Sequence, residues 1–134
     1  MAAPPGNVAL ATAFVEASPD EVYEALADVG SWSRMFAGWL SEVRPEDDRF
    51  GATGAEGDRY DLYAHPGEDG RSLDVEVIDE LGNADVMRLR VIEARGGGCF
   101  AIAAIGRMAG VSDEHWARVR NGVAAGLEAI VPPR

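Results

Sequence analysis

Acid–base chemistry has few carriers in this chain. Its only histidines are His65 and His115, its only cysteine is Cys99, and it contains no lysine. The absence of lysine removes Schiff-base catalysis and a Walker-type phosphate site. One cysteine excludes an internal disulfide and a cysteine-rich zinc site. Two histidines exclude a histidine-rich metal centre, although two histidines with a carboxylate stay open on count alone. The polar groups left to consider are Tyr60, Tyr63, His65, Arg107 and His115. Tyr63 and His65 share a phase opposite Tyr60 and Leu62, so both are expected to face solvent. His115 falls at the edge of an apolar helical stripe and is expected as a partly exposed surface histidine. Arg107 depends on the turn before it. A two-residue Gly96-Gly97 turn points Phe100, Ile102 and Ala104 inward and Arg107 outward. A Gly96-Gly97-Gly98 turn points Ala101, Ala103 and Ile105 inward and carries Arg107 into the interior, where it could hold an enolate or carboxylate. Phe100 and Ile102 are the larger pair, which favours the first register.

Other motifs carry no chemistry. Asp47/Asp48 and Asp79/Glu80 fall in turns or at strand ends, where carboxylates are solvated. Gly51, Gly54 and Gly57 do not match the dinucleotide fingerprint, and no Gly-x-Ser-x-Gly elbow occurs. Cys99 is expected to be a buried small hydrophobe. No catalytic residue, metal ligand or cofactor is assigned.

The 134 residues suit one domain spanning 1–134, with 47% apolar and 26% charged residues, close to the globular norm. A net charge of −11 disfavours nucleic acid and anionic membrane as partners. The segment Met1 to Asn7 lacks the basic and apolar regions of a signal peptide, and no apolar run approaches a membrane span. With a single cysteine, a cytoplasmic location is expected.

These side chains must be positioned by a mixed set of elements. Val8 to Ala17, apolar or small until Glu16, predicts a first strand covered on both faces. Ser18-Pro19-Asp20-Glu21 is a helix start, with Ser18 as cap, Pro19 at the first position and Glu21 completing a capping box. Val22, Leu26 and Val29 form its stripe, and Gly30 ends it. Ser31 can cap a second short helix through Phe36. Alternation then predicts strands at Trp39–Arg44, around Tyr60–Ala64, Leu73–Val77 and Met87–Val91, and at Cys99–Met108. The stretch from Glu46 to Gly57 reads as a loop or irregular edge strand. A Gly82-Asn83-Ala84 turn sets Val77 opposite Leu89, Val75 opposite Val91 and Glu76 opposite Arg90. Val111 to Ile130 predicts one long helix, capped by Ser112, striped by Trp116, Val119, Val123, Leu127 and Ile130, and stopped by Pro132-Pro133.

The inward sheet positions Tyr60, Leu62, Leu73, Val75, Val77, Met87 and Leu89 face Trp116, Val119 and Val123 of the last helix. These ten are the candidate ligand-binding residues, lining a cavity with few polar groups; some of them must also form the packed core. Gly122 and Gly126 lie one turn apart beside the stripe. Glycine inside a helix costs about 1 kcal/mol, a cost with a reason if backbone approaches a neighbour or a ligand there. Trp32, Met35, Phe36 and Trp39 form either a lid packed on the sheet or a mouth beside it.

Val15-Glu-Ala-Ser-Pro-Asp-Glu-Val-Tyr-Glu-Ala-Leu-Ala-Asp28 resembles the opening of the START-like superfamily, also called SRPBCC or birch-pollen-allergen-like. Trp32 with Phe36-Ala-Gly-Trp39, Gly57-Asp-Arg-Tyr60, Gly97-Gly-Cys-Phe100 and the Trp116 helix fall where that superfamily has its second helix, a strand start, a hairpin and the lid helix. Polyketide cyclase/dehydrase-like and chaperone-activator-like members are nearest in look. The resemblance implies an α+β helix-grip fold, with a curved antiparallel sheet of about six or seven strands wrapped around a long C-terminal helix, and two short helices after the first strand. It implies a pocket for a hydrophobic small molecule, polyketide- or lipid-like. Two alternatives stand beside a simple binder: a cyclase, aromatase or dehydratase acting on such a ligand, and a protein-interaction module of the chaperone-activator kind. A monomer or a homodimer is compatible with each.

Overall fold

The computed structural model describes residues 7–130; the Met1–Asn7 segment, but for Asn7, and the Pro132-Pro133 stop lie outside them. Seven strands, β1 (Val8–Val15), β2 (Leu40–Pro45), β3 (Phe50–Gly54), β4 (Arg59–Pro66), β5 (Ser72–Asp79), β6 (Ala84–Glu93) and β7 (Cys99–Gly106), form one antiparallel sheet in the order β1-β7-β6-β5-β4-β3-β2. Three α-helices, α1 (Pro19–Ala27), α2 (Trp32–Met35) and α3 (Asp113–Glu128), and a 3-10 turn at Val29–Ser31 are the helical elements among the described residues. The capping signals act as expected: Ser18 Oγ accepts from the Glu21 amide and Ser112 Oγ from the His115 amide. The Ser31 hydroxyl instead donates to Asp28. Among the described residues no helix is long and apolar enough to cross a membrane.

The stretch 46–57 is not an edge. It contributes β3, hydrogen-bonded on both sides to β2 and β4, and this supplies the seventh strand. Its small residues escape alternation because Gly51, Ala52 and Gly54 are all buried. The edge strands of the sheet are β2 and β1.

Three hairpins share one loop length and hydrogen-bond pattern. Gly57 N–H donates to the Gly54 carbonyl, Gly82 N–H to Asp79 and Gly97 N–H to Ala94, while the amides of Gly54, Asp79 and Ala94 donate to the carbonyls of Asp58, Asn83 and Gly98. Each loop has three residues and ends on a glycine with positive φ, at 87°, 84° and 113°, a conformation that favours glycine; in the third loop Gly96 is also at positive φ, 93°. This corrects two expectations. The β5–β6 loop is Glu80-Leu81-Gly82, so Val77 lies opposite Asp85, Val75 opposite Met87, Leu73 opposite Leu89 and Glu76 opposite Val86. The shift is by an even step, so the faces are unchanged. Arg88 and Arg90 both pair with Asp74, each at 2.9 Å, rather than with Glu76.

At β6–β7 the step is odd, and the face inverts. Ala101, Ala103 and Ile105 are buried, whereas Phe100 and half-buried Ile102 point outward. The larger residues lose because α3 packs close on this part of the sheet. Ala13, Ala11 and Ala9 of β1 lie opposite Ala101, Ala103 and Ile105, a floor of mostly methyl groups that lets the helix approach. β1 is therefore covered on one face only: Leu10 and Phe14 are 62% and 52% exposed.

The core lies between the concave face and α1, α2 and α3. Trp32 is fully buried, and its indole N–H donates to the Leu26 carbonyl at 2.9 Å. The Tyr23 hydroxyl ties α1 to the Ser72 carbonyl of β5. A Cβ at Gly122 would stand 2.8 Å from the Gly38 carbonyl carbon and the Trp39 nitrogen; one at Gly126 would meet the Phe36 ring and the Met35 carbonyl. Close approach of α3 to the segment around α2 is thus the reason for both glycines.

Candidate functional site

Where the sheet curves away from α3, side chains no longer fill the gap. A cavity of about 50 Å³ remains there. Val77 of β5, Met87 of β6 and Ile105 of β7 form its floor, Trp116, Val119 and Val123 of α3 its roof, and Trp39 and Tyr60 one wall. Trp32, Phe36, Trp39 and Tyr60 stack in sequence with ring centroids 5.0, 6.4 and 5.9 Å apart. The wall is thereby braced from α2 and its C-cap: Trp32 and Phe36 are wholly buried and act as the packed lid rather than a mouth.

Of the ten candidate binding residues, Tyr60, Val77, Met87, Trp116, Val119 and Val123 line this cavity. Leu62, Leu73, Val75 and Leu89 are buried elsewhere in the core, each 2% exposed or less.

The cavity opens outward past Tyr60, Met108, Val111 and His115 into a surface cleft of about 370 Å³, which those four residues also line. Glu56, Asp58, Asp79 and Glu80 ring the cleft, with Arg59 as the one cation. These residues come from the β3–β4 and β5–β6 loops, their flanking strand ends and the start of α3, so one end of the sheet builds the whole opening.

At the junction sits a polar cluster that sequence reasoning left dispersed. His115 Nε2 lies 3.1 Å from the Tyr60 hydroxyl and 3.3 Å from Asp58 Oδ2. His115 Nδ1 contacts a Glu56 carboxylate oxygen, and the other Glu56 oxygen pairs with Arg118 at 2.6 Å. The Tyr60 hydroxyl donates to Asp58. Burial, and then the hydrogen bond to Asp58, hold the Tyr60 phenol well above its ordinary pKa, so it persists as a neutral donor. The buried Trp39 indole N–H faces the same hydroxyl without reaching hydrogen-bond geometry. His115 is partly exposed, as expected, with 20% of its side chain accessible, but it is tied into this cluster. The available signal was the Gly54–Gly57 turn, which delivers Glu56 and Asp58 to the first turn of α3.

Arg107 lies just beyond β7. Its guanidinium bonds the Val111 carbonyl and pairs with Asp113 at 2.7 Å. It braces the segment leading into α3 and does not line the cavity, although Ala101, Ala103 and Ile105 do point inward. Tyr63 is half-buried and His65 exposed. Cys99 is enclosed, and burial pushes its thiol pKa up. Among the described residues no cluster of histidine, cysteine and carboxylate side chains is placed to hold a metal ion.

No family model and no curated protein matches the chain. Solved structures do. The protein XoxI from Bacillus cereus is 12% identical, with a TM-score of 0.69 over 90% of each chain. A START superfamily protein from Mycobacterium smegmatis is 9% identical, with a TM-score of 0.68 over 91% of this chain and 94% of that one. A truncated norcoclaurine synthase from Thalictrum flavum is 12% identical, with a TM-score of 0.59 over 87% and 90%. At such identities the likeness is one of fold. In fold, this chain is a START-like, helix-grip α+β domain.

Proposed function

We propose that the chain binds a hydrophobic small molecule between the sheet and α3, with the ligand's apolar end in the cavity and its remainder in the outer cleft. The observation that carries this reading is an interior space lined by Val77, Met87, Ile105, Val119 and Val123, in which Asp85, Tyr60 and His115 are the strongly polar side chains. An apolar pocket with a few convergent polar groups is the common form of a ligand site. The inner space is too small for a large ligand at rest, so only a compact ring or chain end enters it. A polyketide- or lipid-like compound meets that requirement at one end. Native mass spectrometry of the purified protein tests the reading. A mass increment that vanishes on denaturation supports it; a clean apoprotein that also takes up no ring compound at millimolar concentration refutes it.

A second reading, a protein-interaction module, is favoured by one feature. Leu10 and Phe14 of β1, Ile92 of β6 and Phe100 of β7 are each at least 42% exposed and adjoin on the convex face, with Phe14 opposite Phe100 and Phe100 opposite Ile92. The Phe14 and Phe100 ring centroids are 5.4 Å apart. Together with Val8 and Ile102 they expose roughly 500 Å² of apolar surface, near the upper end of what monomers leave uncovered. The partner proposed is a second copy of this chain. β1 and β7 carry no charged residue, so two molecules of charge −11 can meet there without opposed carboxylates, and a modest rim brings the area to the roughly 800 Å² per partner of a stable interface. Sedimentation of the parent and Leu10→Glu decides: a dimer that the substitution dissociates supports this reading, and a parent monomer at 0.5–1 mM, concentrations of order 10⁻³ M, removes it.

A further inference from the structure

Resting on the reading that a small molecule occupies the cavity, we infer that this molecule is an amine, with its compact apolar body in the cavity and its ammonium group paired with Asp85. Among the described residues Asp85 is the one carboxylate that lines the cavity.

Strand alternation turns this carboxylate inward. Asp85 shares its phase of β6 with Met87, Leu89 and Val91, all buried, and lies opposite Val77 of β5. It is half-buried, in space that Gly106 of β7 leaves for it: a Cβ at Gly106 would collide with Asp85 Oδ2. An anion on the apolar face of a sheet is costly unless a cation pairs with it. Among the described residues Asp85 accepts one hydrogen bond, from the Val86 amide to Oδ1 at 2.7 Å, and Oδ2 is left open. The neighbouring cations are engaged elsewhere. Arg107, next in sequence to Gly106, holds the Val111 carbonyl and Asp113. His115, which also lines the cavity, is held between Glu56 and Asp58.

A single carboxylate among methyl groups suits an ammonium group better than a metal ion, which needs several oxygen ligands. The ammonium N–H donates to Oδ2 in a charge-assisted hydrogen bond and supplies the charge that Asp85 lacks. Asp85 is the second residue of β6, at the end of the sheet that builds the opening, so the remaining ammonium hydrogens stay within reach of water. Outside, Glu56, Asp58, Asp79 and Glu80 outweigh Arg59 around the cleft. Such a rim draws cations toward the cavity and repels anions. No bond is made or broken in the ligand; the site selects by charge.

NMR titration of the ¹⁵N-labelled full chain at neutral pH tests the inference with three small aromatic molecules. They are α-methylbenzylamine, acetophenone, in which a carbonyl oxygen stands in place of the ammonium group, and phenylacetate. The amine is expected to bind about tenfold or more tighter than acetophenone, and phenylacetate more weakly than either. Asp85→Asn keeps the shape and removes the charge. It is expected to bring the amine down to the acetophenone level while acetophenone affinity stays within a factor of about two. In Gly106→Ala the charge is kept but the new methyl displaces the carboxylate, and the preference for the amine is expected to fall severalfold. Amide shifts at Val119 and Val123 on adding acetophenone verify that each variant is folded and still binds. The inference is overturned if acetophenone binds the parent as tightly as the amine does, or if Asp85→Asn keeps the parent's preference. Should Asp85→Asn fail to fold, an unchanged preference in Gly106→Ala overturns it instead. If neither acetophenone nor the amine moves a cavity resonance, the binding reading falls with it.

Discussion

Gly122→Ala separates two reasons for a glycine inside α3. If the position is bare because α3 touches the backbone around Gly38, a methyl group must push the two apart. The added carbon would lie 2.8 Å from the Gly38 carbonyl carbon, 2.8 Å from the Trp39 nitrogen and 3.1 Å from the Gly38 Cα. Ordinary carbon contacts fall near 3.5–4.0 Å, so a displacement of about 0.7 Å or more is needed. All three obstacles are backbone, and none can rotate away. Overpacking of this kind costs about 1–3 kcal/mol, here toward the upper end, while alanine returns about 1 kcal/mol of helix propensity. The net expectation is a loss of about 1–2 kcal/mol, or roughly 3–8 °C in melting temperature for a chain this size. Thermal and urea unfolding by circular dichroism measure it. Asn121→Ala, on the exposed side of the same helix, is the control and is expected to be neutral or slightly stabilising. A Gly122→Ala protein as stable as the parent refutes the reasoning, because the close approach would then not require glycine.

Three further outcomes are expected. Tyr60 holds its proton more tightly when folded than when unfolded, so its contribution to stability is intact below the unfolded tyrosine pKa near 10 and drains as pH climbs beyond it. The fall in urea midpoint between pH 8 and pH 11, a window set by that reference value, should be smaller in Tyr60→Phe; an equal fall contradicts this. Leu62→Ala, fully buried away from the cavity, should cost about 2–5 kcal/mol while leaving acetophenone affinity within a factor of about two for whatever protein stays folded; a selective loss of affinity would return Leu62 to the site. The enclosed Cys99 thiol should react with Ellman's reagent only as fast as the protein unfolds, and rapid labelling of the native protein would contradict its burial.

The frame of the fold was legible where local chemistry and pattern agreed. The Ser18-Pro19-Asp20-Glu21 start, the Ser112 cap and the alternation in β4, β5 and β6 each name an element and its inward face. Legibility failed where small residues carried the strand. β3 hides in Phe50–Gly54 because glycine and alanine bury without alternating. The β7 face inverts because Ala101 and Ala103, not Phe100 and Ile102, suit a sheet on which α3 rests closely. The candidate site was half legible. Alternation turned Tyr60, Val77 and Met87 inward, and helical spacing did the same for Trp116, Val119 and Val123. It could not say which inward residues would face space and which would face one another. The cluster of Glu56, Asp58, Tyr60 and His115 joins residues up to 59 positions apart through a turn and a helix start, so no local pattern announces it.

The claim on which the rest depends is that the space between the sheet and α3 admits an apolar molecule. Titration of the ¹⁵N-labelled protein with toluene, followed by heteronuclear NMR, tests it most directly. The account predicts saturable shifts at Val77, Met87, Val119 and Val123 and at the indole N–H groups of Trp39 and Trp116. Spectra that do not change, or shifts confined to Leu10, Phe14 and Phe100 on the convex face, would contradict it.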